Sequence, residues 1–90
     1  MIKKIVDGGR VRVFDTKNTR AVKISKSENE ISNVTLINFE ARENNFKFRC
    51  FKKHQDEVYK FFTENTKDNL MEIENSEVKF SYQEKLLLKE

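Results

Sequence analysis

Two stretches of the chain set a phenylalanine among cations at a spacing of two residues. Lys47, Arg49, Phe51 and Lys53 follow one another in that spacing, and so do Arg10, Arg12 and Phe14. On a β-strand alternate residues share a face, so each stretch presents one ring in a row of positive side chains. That combination suits single-stranded nucleic acid: cations follow the phosphates, and each base stacked on a ring contributes roughly 1–3 kcal/mol. Lys52 and Arg42 add charge to the same region. The candidate nucleic-acid-binding residues are therefore Arg10, Arg12, Phe14, Arg42, Lys47, Arg49, Phe51, Lys52 and Lys53. The competing role for Phe14 and Phe51 is structural, as caps on the ends of a core.

Other chemistry finds little support. Cys50 lies on the apolar side of its stretch and reads as a buried structural thiol. His54 and Asp56 have no nucleophile beside them, which favours a solvated or capping role over acid–base work. Glu72, Glu74 and Glu77 lack the spacing of a calcium loop. With 1 Cys, 1 His, 2 Gly and no Pro, neither a common zinc site nor a Gly-rich phosphate loop can be built. No catalytic constellation, metal or cofactor is expected.

The 90 residues suffice for a single domain spanning 1–90, with ten aromatics (8 Phe, 2 Tyr) to build its core. Residues 1–53 hold 13 Lys/Arg and 6 Asp/Glu, a net of +7, whereas residues 54–90 hold 5 and 9, a net of −4. A basic first part suggests a polyanionic partner, although charges of both signs also intermix on an ordinary folded surface. No apolar run approaches the roughly 18 residues of a membrane helix. The opening Met1-Ile2-Lys3-Lys4-Ile5-Val6-Asp7 lacks the features of a signal peptide, so a cytoplasmic location is expected.

These side chains must be positioned by strands. Ile2 to Val6 is a short apolar run broken by Asp7-Gly8-Gly9. Arg10 to Phe14 alternates, with Val11 and Val13 on the face expected to be buried. Ala21 to Ser25 alternates again, and polar residues 26–33 read as a loop. Val34 to Arg42 and Phe46 to Lys53 form a hairpin about a two-residue turn at Asn44-Asn45, which pairs Ala41 with Phe48 and Phe39 with Cys50. Its buried face collects Ile37, Phe39, Ala41, Phe46, Phe48 and Cys50. Its outer face collects Asn38, Glu40, Arg42, Lys47, Arg49, Phe51 and Lys53, so the two strands agree on which side is buried. Leu36 falls on the polar face and reads as a bulge. From His54 the period changes: Val58, Phe61 and Phe62 form one stripe of a helix that ends over 65–69. Leu70 to Ile73 and Val78 to Tyr82 are strands around a turn at Glu74-Asn75-Ser76, with Phe80 in the core and Tyr82 more open. Leu86-Leu87-Leu88 closes the chain as a strand or packed tail.

The order fits a mainly β fold, a small five-stranded Greek-key barrel of the OB type with one α-helix between strands 3 and 4. A half-open sheet with the helix across one face has the same pattern. The segment Phe46 to Phe62, followed by Asn69-Leu70-Met71-Glu72-Ile73-Glu74, resembles the bacterial and phage single-stranded DNA-binding proteins. A strand ending in an aromatic and a Lys leads into a short helix with a Gln-Glu start, and then into another strand. The likeness covers residues 34–82 and puts Phe51 where that family has a base-stacking aromatic. The chain departs from the family in having no Trp and in carrying Asn69 and Asn75 in place of glycines. It also ends in Leu86-Leu87-Leu88-Lys89-Glu90 without an acidic-tipped tail, so recruitment of other replication proteins does not carry over.

The resemblance implies sequence-nonspecific binding of single-stranded DNA, with RNA an alternative ligand. It also implies a role in DNA replication. The alternative is a small interaction or inhibitor module of a replication or defence enzyme that binds no nucleic acid. Exposed strand edges suggest a homo-oligomer.

Overall fold

Alternation at a spacing of two dominates the chain, and strands account for most of it. The computed structural model describes residues 1–25, 33–42 and 45–85. Seven strands form: β1 Ile2–Asp7, β2 Arg10–Asp15, β3 Thr19–Ser25, β4 Val34–Ala41, β5 Asn45–Phe51, β6 Leu70–Glu74 and β7 Glu77–Ser81. The helix α1, Gln55–Thr63, follows β5 through a 3-10 turn at Lys52–His54. Asp56 and Glu57 sit in its first turn, where the helix dipole favours acids. The strands make two sheets, of order β2-β1-β6-β7 and β3-β4-β5. All pairings are antiparallel except β1 with β6.

This corrects the expected architecture. The fold is mainly β, but it has seven strands in two sheets, the barrel is not closed, and the helix comes after the fifth strand. Where closure would need a ladder, β5 meets the hairpin tips of the first sheet through isolated contacts. Phe51 N–H donates to Ser76 O at 2.9 Å, and Arg10 Nη2 donates to Lys47 O at 3.3 Å.

The β4–β5 hairpin keeps its expected faces but not its register. Phe48 pairs with Ile37 rather than Ala41, a displacement of four residues, and the last pair before the loop is Glu40 with Asn45. On its opposite edge β4 stays paired further along: Ala41 pairs with Thr19, and Arg42 N–H donates to Asn18 O at 3.0 Å. An even displacement leaves every side chain on its original face, so agreement of the faces does not detect it. No bulge accompanies Leu36, which lies half-buried on the outer face opposite Arg49. The two-residue turn with left-handed backbone occurs elsewhere, at Asn75 (φ 51°) and Ser76 (φ 67°) between β6 and β7. The expectations for 26–32 and for Leu86-Leu87-Leu88 lie outside the described residues.

Seven of the eight phenylalanines join one ring network at the core. Phe62 stacks on Phe39 with centroids 4.3 Å apart, and Phe14, Phe48 and Phe61 pack around it at 5.4–5.9 Å. Phe80 reaches the network through Phe61, and Phe46 through Phe48. The stripe Val58, Phe61 and Phe62 delivers α1 to this cluster, as its spacing requires.

Lys3 lies among these apolar groups with no solvent exposure. Its ammonium donates to Phe61 O, to Glu64 O at 2.8 Å and to Thr66 Oγ1 at 2.8 Å, and lies 4.4 Å from the centroid of the Phe61 ring. It thus supplies a cation and three donors to the C-terminal end of α1, where backbone carbonyls lack intrahelical partners. Burial pulls its pKa from 10.5 down to about 8, against the opposing pull of Asp68 and Glu64.

Replacing Lys3 with Met strands these acceptors and lowers the unfolding free energy at pH 7 by about 1–3 kcal/mol in urea titrations. Between pH 8 and 10.5 the unfolded chain holds the Lys3 proton more tightly than the folded one. Wild-type stability therefore gains from rising pH in that window, and the gap to Lys3→Met widens. A gap that stays constant with pH would contradict the lowered pKa.

Candidate nucleic-acid interface

The outer face of β5 is built by simple alternation. Phe46, Phe48 and Cys50 point into the core, which leaves Lys47, Arg49 and Phe51 on the other side. Lys47 and Arg49 are exposed and Phe51 is half-buried. Successive members of this row lie about 6.8 Å apart along the strand. Phe51 is the one phenylalanine outside the ring network: among the described residues it packs on no other ring, and its aromatic contact is Lys53 Nζ, 5.7 Å from its centroid. Lys52 and Lys53 continue the row as exposed residues of the 3-10 turn. With Phe51 and Asn33 they line a hollow of about 400 Å³.

A second hollow, of about 500 Å³, lies where β5 crosses the tips of the first sheet. Arg10, Lys47 and Arg49 bring three cations to it, while Asp7, Leu36, Asn75 and Ser76 complete its walls. Asp7 offsets one of these cations through a loose pair with Arg10 at 3.9 Å. The geometry makes the β5 edge legible as well. Because Phe51 N–H and Lys47 O point away from β4, so do the backbone groups of Arg49, which shares their parity. The site therefore offers cations, a ring face and strand-edge hydrogen-bonding groups together.

Three of the expected residues, Arg12, Phe14 and Arg42, do not belong here. Phe14 is a core residue, 7 % exposed, with its ring against Phe39, Phe61 and Phe62, so it presents no face to a base. The alternation of β2 holds, but its faces are reversed. Arg10, Arg12 and Phe14 turn inward, and the guanidinium groups of Arg10 and Arg12 cover the Phe46 ring at 4.7 and 5.6 Å. Cation–π contact lets two arginines close the open end of an apolar core while their charges remain exposed. Arg42 is also displaced. It lines a hollow with Ile2, Phe14 and Asp15, at the end of the β1–β2 pairing away from the Arg10 tip.

Two further residues shape this face. Asn38 sits between Lys23 and Lys47 in one cross-strand row, and its Oδ1 accepts no hydrogen bond among the described residues. Glu77 Oε1 contacts both Lys53 Nζ at 3.1 Å and His54 Nε2 at 3.2 Å. The Lys53 hydrogen bond, reinforced by His54, holds the Glu77 carboxyl below the usual carboxylate range. Alternation alone puts Asn38 on this face, whereas the contacts of Glu77 join separate elements and leave no signal in local spacing.

The remaining chemistry is sparse. Among the described residues no group of three or more His, Cys, Asp or Glu side chains is placed to hold a metal ion, and no helix is long and apolar enough to cross a membrane. Compared with known proteins, the chain matches no family model, no curated sequence and no solved structure.

Cys50 is fully buried, and desolvation pushes its thiol up to about 11. Thiol reagents at pH 8 are expected to label it only after denaturant is added. Rapid stoichiometric labelling of the folded protein would contradict that burial.

Proposed function

We propose that the protein binds single-stranded nucleic acid, without marked sequence preference, along the outer face of β5. One observation carries this. Phe51 alone of the eight phenylalanines stays out of the core network, and it stands in line with Lys47 and Arg49 and beside Lys52 and Lys53. A ring left partly in solvent among cations is costly unless something covers it, and a nucleobase does so while its phosphates meet the lysines and arginines. Arg10 extends the charge across the neighbouring hollow. Stacking does not read the sugar, so both DNA and RNA single strands are ligands of this surface.

A protein-docking role draws on a different surface. Inward placement of Lys3, Ile5, Met71 and Ile73 leaves Ile2, Val6, Val11, Val13 and Leu70 on the outer face of the first sheet. Ile2 is 42 % exposed there and the others are half-buried. This apolar patch shares its face with Lys4, Glu72 and Lys79, so a partner protein or a second copy of the chain that covers it would need polar groups to match.

The two roles separate in a titration of labelled oligothymidine followed by fluorescence anisotropy, with duplex of equal length as competitor. Binding is expected to be strong at low salt. Its log–log salt dependence should have a slope near −0.7 for each phosphate neutralised. Phe51→Ala should weaken it about 5- to 150-fold while leaving the circular dichroism spectrum unchanged. No binding by folded protein at low salt would sink the nucleic-acid role and turn attention to the first sheet.

A further inference from the structure

Glu77 sets a negative charge inside a row of cations. Its Oε1 takes Lys53 at 3.1 Å and His54 at 3.2 Å, and the same Lys53 ammonium lies over the Phe51 ring. The backbone fixes this arrangement, because Phe51 N–H donates to the carbonyl of Ser76, the residue preceding Glu77. One carboxylate therefore holds a phosphate-binding cation in front of the stacking ring.

Resting on the function proposed above, we infer that Glu77 is a specificity-determining residue that stands in for a nucleic-acid phosphate. It retains Lys53 over Phe51 until a ligand replaces both contacts. A nucleic-acid strand does so, since its phosphate takes Lys53 and its base takes the ring. A polyanion without bases can replace only the first contact, so the carboxylate discriminates against it. The low pKa of Glu77 keeps this charge in place at neutral pH.

The test compares wild type with Glu77→Gln, Lys53→Ala and the double variant, using labelled oligothymidine and inorganic polyphosphate as competitor. Glu77→Gln should bind oligothymidine about two- to fivefold more tightly, the scale of an exposed ion pair. Its salt slope should steepen by about 0.7 as Lys53 is released. Polyphosphate should compete better against Glu77→Gln than against wild type. In the Lys53→Ala background the Glu77 substitution should add nothing.

Glu74 lies directly opposite Glu77 in the β6–β7 pair, so Glu74→Gln controls for net charge. An equal gain in Glu74→Gln, a gain that persists without Lys53, or no gain at all would each overturn the role of Glu77 while leaving nucleic-acid binding intact. Failure of wild type and all variants to bind would overturn both.

Discussion

The Lys3 ammonium joins the first strand to the end of α1, 58 residues away in sequence, with no contact to solvent. A buried charge is tolerated only when its hydrogen-bonding capacity is met, and here two carbonyls, one hydroxyl and a ring face meet it. This ties the end of the helix to the first sheet. Phe61, which supplies one carbonyl and the ring, is held at the same point, and its neighbour Phe62 enters the centre of the aromatic network. The second sheet then packs on that network through Phe39, Phe46 and Phe48.

The candidate site follows from this packing. Once α1 and the ring network fill the space between the sheets, β5 must turn Phe46, Phe48 and Cys50 inward, and Lys47, Arg49 and Phe51 are left outside. The barrel stays open where β5 crosses the tips of the first sheet. Two features line that opening with charge: the arginines of β2 that cover Phe46, and the exposed row of β5. The concentration of cations is thus partly a structural solution for an unfinished core and partly a surface with no structural duty. Lys47, Arg49 and Lys52 fall in the second class, and Lys53, held by Glu77 beside Phe51, joins them in carrying the functional proposal.

Much of the local structure was legible from the chain. The faces of β4 and β5, the stripe of α1 and the core positions of Phe39, Phe48, Phe61 and Phe62 follow from periodicity alone. Most of what was not legible depends on partners distant in sequence. The hairpin register was set by a loop longer than two residues, the last β4–β5 pair being Glu40 with Asn45. By contrast the β6–β7 turn was legible at Glu74-Asn75-Ser76, between two strand-like runs, and it forms at Asn75-Ser76. Phe14 was misassigned because charged residues were expected to face water, whereas Arg10 and Arg12 cover a ring. Nothing in the apolar run Ile2 to Val6 singles out Lys3, because its acceptors come from the distant helix end. The ion pair of Lys53 with Glu77 joins the end of β5 to the start of β7 and leaves no trace in local spacing.

The central claim is that the outer face of β5 binds a single strand. The most direct measurement is a ¹H–¹⁵N correlation spectrum of the labelled protein titrated with oligothymidine. Shifts concentrated at Lys47, Arg49, Phe51, Lys52 and Lys53, extending to Arg10, are the predicted result. Shifts confined to Val6, Val11, Val13 and Leu70 on the first sheet, or no shifts under low salt, would contradict it.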